Sequence, residues 1–231
     1  MITWFKGQGC YVMGGVPAWW RTGVSDSRSN FLSVYNAFDM FSPWIVGRIG
    51  NISGSDSFCS NTELGDQSYR NTHGIDYQLC VLPGDTGQRA HGDFMWRQFY
   101  NMTRLGCQGI YISLFDEFNE GNQIACTAED VSMIPIGSNS LYFTLDQDET
   151  SCFSDYYLRL SGDGGKMFKG QIALTTVRPT LPRLPATLPP QPTNLVARPG
   201  KVKVSLSWAA VVGAQRYTVK RSMPIRLLAK P

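Results

Sequence analysis

Four short apolar runs punctuate the first half of the chain: Gly9 to Val16, Met40 to Val46, Tyr77 to Leu82 and Gly109 to Phe115. Each is rich in β-branched or aromatic residues and too brief for a helix, which predicts buried strands. Between the first two, Ser27 to Phe38 has a helical pattern, with Asp26 or Ser27 able to cap its start. Before the fourth, Gly92 to Leu105 repeats that pattern and Gly106 terminates it. Strand alternating with helix implies parallel β/α units with right-handed crossovers. Four such strands make half of an eight-stranded β/α barrel, whose active sites lie at the carboxyl ends of the strands.

Beyond the fourth strand the pattern loosens. Tyr156 to Leu160 and Lys166 to Leu174 read as pieces of a final helix interrupted by Gly162, Gly164 and Gly165. Asp163-Gly-Gly has neither a preceding strand nor a following Gly-Lys-Ser/Thr, so it reads as a turn and not a phosphate loop. Asp146, Asp148 and Glu149 lack the glycine and closing glutamate of a calcium loop and read as a solvated acidic turn. Residues 178–192 form a proline-rich, extended linker. Alternation at Val202, Val204, Leu206 and Trp208, then Tyr217 and Val219 after a turn, predicts antiparallel strands over 193–231. That stretch resembles the beginning of a fibronectin type III module. Such a sandwich needs about 100 residues and about seven strands, so an incomplete all-β core is expected. The domain reading is thus 1–177, a linker at 178–192, and 193–231.

Composition narrows the function. Hydrophobic residues make up 42% and charged residues 17%, the balance of a packed chain. The net charge of +3 is scattered instead of forming a basic stripe, which argues against nucleic-acid binding. No apolar run approaches the about 18 residues of a membrane span. The opening MITWFKGQG lacks the features of a signal peptide, and the chain opens so close to a strand that an upstream portion is expected. Of six cysteines, Cys10 and Cys107 lie in strand-like runs as buried thiols. Cys59, Cys126 and Cys152 lie in loop-like segments, with Cys126–Cys152 the favoured disulfide. Together with sequons at Asn51 and Asn101, these suggest a secreted, extracellular protein.

The candidate chemistry sits where the fourth strand ends. Asp116, Glu117 and Glu120 follow the apolar run within a few residues, closed by Gly121. Clustered carboxylates repel one another and are costly to desolvate, so a site must repay them. Glu117 and Glu120 share a face only if the chain leaves the strand near Asp116, a sharp exit that Gly121 assists. Two carboxylates near one bond are the equipment of glycoside hydrolysis. The other strand ends carry Trp19, Trp20 and Arg21, then Trp44 and Arg48, then Asp85, Arg89 and His91. With Trp96, they suggest aromatic platforms for sugar faces and charged groups for hydroxyls.

DEFNEGNQI is similar to the Asn-Glu-Trp-His-Glu-Gly-Thr-Gln-Ile-Glu motif of glycoside hydrolase family 99. YVMGGVPAWWR, FSPWIVGR and QRAHGDFMWRQ add to a resemblance with the carboxyl half of family 71/99-like proteins, over residues 9 to about 175. The resemblance implies the carboxyl-terminal half of a (β/α)8 TIM barrel, an α/β fold, in a retaining α-glycosidase of the endo-mannosidase kind. It implies that Glu120 is the general acid/base. Glu117 would deprotonate the sugar 2-hydroxyl, which attacks the anomeric carbon without an enzyme nucleophile. Asp116 stands for the motif's Asn, Phe118 for Trp, Asn119 for His and Ala125 for the final Glu. The sugar and linkage therefore stay open between mannan- and glucan-type substrates, with Asp116 and Asn119 as substrate contacts. No cofactor or metal is implied, and the full-length protein is expected to be monomeric. Four strands cannot close a barrel, so the chain alone is expected to be inactive or to need the missing half. The alternative is a non-catalytic carbohydrate-binding protein with the same aromatic cleft.

Overall fold

In the computed structural model, residues 1–85, 87–137, 142–183, 192–201, 203–212 and 217 are described. They fall into two compact units, Met1–Leu184 and Pro185–Pro231. The first begins with a short helix, α1 (Ile2–Gly7), so Cys10 lies exposed ahead of the first strand and not within it. Four strands follow: β1 (Met13–Pro17), β2 (Met40–Trp44), β3 (Asp76–Val81) and β4 (Gly109–Ile112). All pair in parallel, in the order β1-β2-β3-β4.

Between β1 and β2 only one helical turn forms, α2 (Leu32–Tyr35), not the helix expected over 27–38. Asn30 has φ 76°, a left-handed conformation through which a helix does not run. From β2 to β3 the chain makes α3 (Ile52–Phe58), a π-helical turn (Cys59–Glu63) and α4 (Leu64–His73), ended by left-handed Gly74. Asn51 caps α3 through Oδ1, which accepts the Gly54 N–H at 2.7 Å. The buried positions of this segment include Ser55, Cys59, Thr62, Glu63, Asp66, Gln67 and Arg70. With polar residues on the packed side, no apolar stripe marks it in the sequence. Cys59 is accordingly a buried helical thiol and not a loop cysteine.

Helix α5 (Asp93–Leu105) precedes β4 as expected, with Gly106 left-handed at its end. Its Phe94, Met95, Trp96, Phe99 and Met102 are buried beside Phe41, Tyr77, Leu79 and Val81 of the sheet in one core. Asn101, also on α5, is fully buried and donates to Ser55 Oγ and Asp56 Oδ1, so its sequon cannot accept a glycan in the folded chain. Helix α6 (Tyr156–Phe168) runs unbroken through the three glycines that were expected to interrupt it. A Cβ on Gly164 would stand 2.6 Å from the Phe99 ring, so that glycine is where α6 lies against α5. Asp163 is therefore helical and not in a turn; it binds Lys166 at 2.8 Å and Thr180 at 2.6 Å. Residues 178–182 dock on the same helix region through Arg178–Asp93 and through Arg159, which donates to Leu181 O and Pro182 O.

All six cysteines are free. Cys126 is exposed while Cys152 is buried, its thiol turned to Thr150 O, so the favoured disulfide does not form. The face of the sheet away from α5 is open, with Met13, Trp44 and Tyr111 exposed by 50%, 43% and 44%. Parallel sheets are ordinarily covered on both faces. Among the described residues, no helix is long and apolar enough to cross a membrane.

In the second unit, β5 (Val196–Pro199) and β6 (Val204–Ser207) pair antiparallel and every residue in them is exposed. Trp208 and Tyr217 meet with ring centroids 5.2 Å apart. Val202 and Val219 lie outside the described residues.

Candidate active site

The acids follow the carboxyl end of β4. After Ile112 the chain leaves the ladder, and Ile124 N–H returns to Leu114 O and Phe115 O at 3.1 Å. Ala125 N–H adds a bond to Phe115 O at 2.9 Å, closing residues 115–125 into a loop pinned at its base. Inside it, Asn122 N–H reaches Glu117 O at 3.2 Å and Gly121 N–H reaches Phe118 O at 3.3 Å. Gly121 has φ 69°, and a Cβ there would lie 2.8 Å from Phe143, so the turn needs glycine for both conformation and space.

This loop separates the environments of the two glutamates. Glu120 is exposed and lines a cleft of about 280 Å³ with Asp85, Asn119 and Phe143. Glu117 is half-buried, and its Oε2 is withdrawn from solvent with no hydrogen-bond partner among the described residues. Desolvation, then repulsion from Glu120 and Asp116, raises its pKa above the usual carboxylate value of 4.5. Asp116 is exposed on the same loop. Asp116, Glu117, Asn119 and Glu120 thus lie on one loop, with Asn119 and Glu120 on the cleft wall.

The other strand-end residues divide. Trp44 is exposed at the end of β2 and meets Tyr111 with ring centroids 6.4 Å apart. The two border a second hollow of about 450 Å³, with Met13, Pro17, Asp26 and Ser42 also on its walls. Trp19 is half-buried against Phe58. Trp20 and Trp96 are corrections. Trp20 is buried among Tyr35, Phe41 and Tyr69, and fully buried Trp96 donates Nε1–H to Thr175 O at 3.0 Å, so neither can face a ligand. Trp20, just past β1, and Trp96, on α5, both serve the core.

The charged candidates are engaged in bonds of the scaffold. Arg21 pairs with buried Asp66 of α4 at 2.7 Å, and Arg48 with Asp26 at 2.9 Å. Buried Arg89 lies over the Tyr157 ring at 5.0 Å and donates to Gly84 O and Gln123 Oε1. His91, at φ 55°, has its N–H and Nδ1 each 2.9 Å from Asp148 Oδ2, and its ring also meets Thr150 Oγ1. The stretch around Asp148 is therefore a tether for the loop after β3, not a merely solvated turn. Sequence reasoning left Tyr111, Asn122, Gln123 and Phe143 out of the site. Tyr111 was visible as a strand residue, but its exposure depends on the open face. Phe143 arrives from a coil segment with no periodic signal.

Fold and geometry together define an α/β protein with a parallel sheet and an acidic loop at the carboxyl end of its last strand. No protein-family model matches the sequence, and no curated protein matches it. Among solved structures, the chain is similar to the GH99 endo-alpha-mannosidase from Bacteroides thetaiotaomicron in complex with bis-tris-propane. The identity is 18% and the TM-score 0.49, over 69% of this chain and 46% of that one. A second structure of the GH99 endo-alpha-mannosidase from Bacteroides thetaiotaomicron gives 17% and 0.48, over 68% and 44%. This chain spans less than half the length of either.

Proposed function

We propose that the chain carries the catalytic acids of a glycoside hydrolase acting on α-linked mannan- or glucan-type saccharides. The observation that carries the reading is the pairing of two unlike glutamates on one loop. Glu117 is half-buried, with one carboxyl oxygen withdrawn from solvent and its pKa raised, while Glu120 is exposed in the cleft. A carboxylate that must take a proton from a sugar hydroxyl is helped by a raised pKa, because general-base strength rises with proton affinity. That suits Glu117 to the sugar 2-hydroxyl in a substrate-assisted retaining mechanism. The hydroxyl oxygen would attack the anomeric carbon as the glycosidic bond breaks. Glu120, open to the cleft, would give a proton to the departing oxygen and later take one from the water that opens the 1,2-anhydro sugar, while Glu117 returns its proton to the sugar O2 as the C1–O2 bond breaks. Resemblance of DEFNEGNQI to the family 99 motif assigns the same two roles.

The open face beside Trp44 and Tyr111 leaves one side of the substrate without a wall, so turnover by this chain alone is expected to be slow or absent. Prolonged incubation with α-manno- and α-gluco-oligosaccharides at high protein concentration, alongside calorimetric binding, tests the reading. Any cleavage should fall by about 10²- to 10⁴-fold in Glu120→Gln while binding persists. Binding with no cleavage by this chain or by one holding a complete barrel would favour the non-catalytic carbohydrate-binding reading.

A further inference from the structure

The cleft beside Glu120 has a third acid. Asp85 follows β3, is half-buried, and shares the cleft wall with Glu120, Asn119 and Phe143. Its own turn does not use the carboxylate. The Asp85 N–H donates to Gln88 Oε1 at 3.4 Å and its carbonyl accepts from Gln88 N–H at 3.1 Å. Among the described residues, no group hydrogen-bonds to the carboxylate.

The position of Asp85 is nevertheless fixed by a buried ring of bonds. Gly84 N–H donates to Asn122 Oδ1 at 3.1 Å, and Gly84 O accepts from Arg89 Nε at 3.2 Å. Arg89 Nη2 donates to Gln123 Oε1 at 3.3 Å, returning to the residue beside Asn122. Arg89, Asn122 and Gln123 are each more than nine-tenths buried. Asp85 is one residue from this ring on the β3 side, and Glu120 is two residues from it on the loop side. The two chain segments that carry the carboxylates are therefore joined by bonds shielded from water, which hold a geometry better than exposed ones.

We propose that Asp85 is a specificity-determining residue that binds sugar hydroxyls in the cleft it shares with Glu120. The inference rests on the glycosidase reading. An ionised carboxylate only accepts, and its two oxygens suit a pair of neighbouring hydroxyls, the donors a pyranose presents at fixed spacing. A cation is the poorer fit, because among the described residues no three His, Cys, Asp or Glu side chains gather closely enough to hold one. Asn119, which also lines the cleft, offers both a donor and an acceptor. A sugar bound between them would be sorted by the orientation of its hydroxyls.

The test is calorimetric titration of the whole chain with matched α-manno- and α-gluco-oligosaccharides, comparing wild type with Asp85→Asn. This near-isosteric change leaves the turn's backbone bonds and the buried ring intact, so the melting temperature should not move. The expected result is a loss of affinity of about tenfold or more for the preferred sugar, with a narrowed preference between the two series. Equal affinities and equal preference in the two proteins would overturn the role of Asp85 and leave the glycosidase reading standing. If neither series binds the wild type, the inference and the reading it rests on both fall.

Discussion

Raising the pH from about 4.5 to 8 should destabilise the fold steeply, and Glu63→Gln should flatten that dependence. Glu63 closes the π-helical turn, is 1% exposed, and neither carboxyl oxygen has a hydrogen-bond partner among the described residues. Burial first, then repulsion from Asp66, raises its pKa from 4.5 to about 8. The Cys59 thiol and Arg104 act in the opposite direction without offsetting the burial. Because the folded-state value lies above the unfolded one, the contribution is complete below about 4.5 and is lost as pH rises through about 8. At about 1.4 kcal/mol per unit, the whole window is worth on the order of 5 kcal/mol, a large part of a domain's stability. Urea unfolding at successive pH values measures it. The neighbouring thiols Cys59, Cys80 and Cys107, pushed up to about 12, stay protonated over most of that range. A wild-type curve as flat as that of Glu63→Gln would mean that Glu63 is already ionised in the fold.

Trp96→Ala should cost about 3–5 kcal/mol, the price of an emptied aromatic site in a close-packed core. The side chain is fully buried on α5, and its loss also strands the Thr175 carbonyl that its indole N–H satisfies. A lower urea midpoint with unchanged saccharide affinity per folded molecule is the expected pairing. A substrate-contacting Trp96 would give the reverse: weaker binding and little loss of stability. Trp44, exposed beside Tyr111, lacks this core burden.

These two residues show what the chain reveals about itself before folding. All four parallel strands were legible, because short β-branched and aromatic runs separated by polar stretches have few other uses. Helix α5 was legible for its apolar stripe and its Gly106 terminator. The helix from Ile52 to His73 was not, because Glu63, Asp66 and Arg70 occupy buried positions where an apolar pattern would have announced it. Helix α6 reads as interrupted by glycines, of which Gly164 in the fold allows close packing on Phe99. At the site, the acidic loop was evident from composition and spacing alone. Burial was not: Trp20 and Trp44 are the same residue type at similar strand ends, and only tertiary packing separates the core residue from the exposed one. The ring joining Gly84, Arg89, Asn122 and Gln123 spans residues up to 39 apart and has no local signature.

The unlike character of Glu117 and Glu120 is the centre of the account, and carbon-detected NMR titration of the Glu117 carboxyl reads it directly, with and without α-linked oligosaccharide. The expected midpoint lies above the ordinary 4.5, falls when Glu120→Gln removes the neighbouring charge, and moves when saccharide binds. An ordinary midpoint, indifferent to both the substitution and every saccharide in the panel, would contradict it.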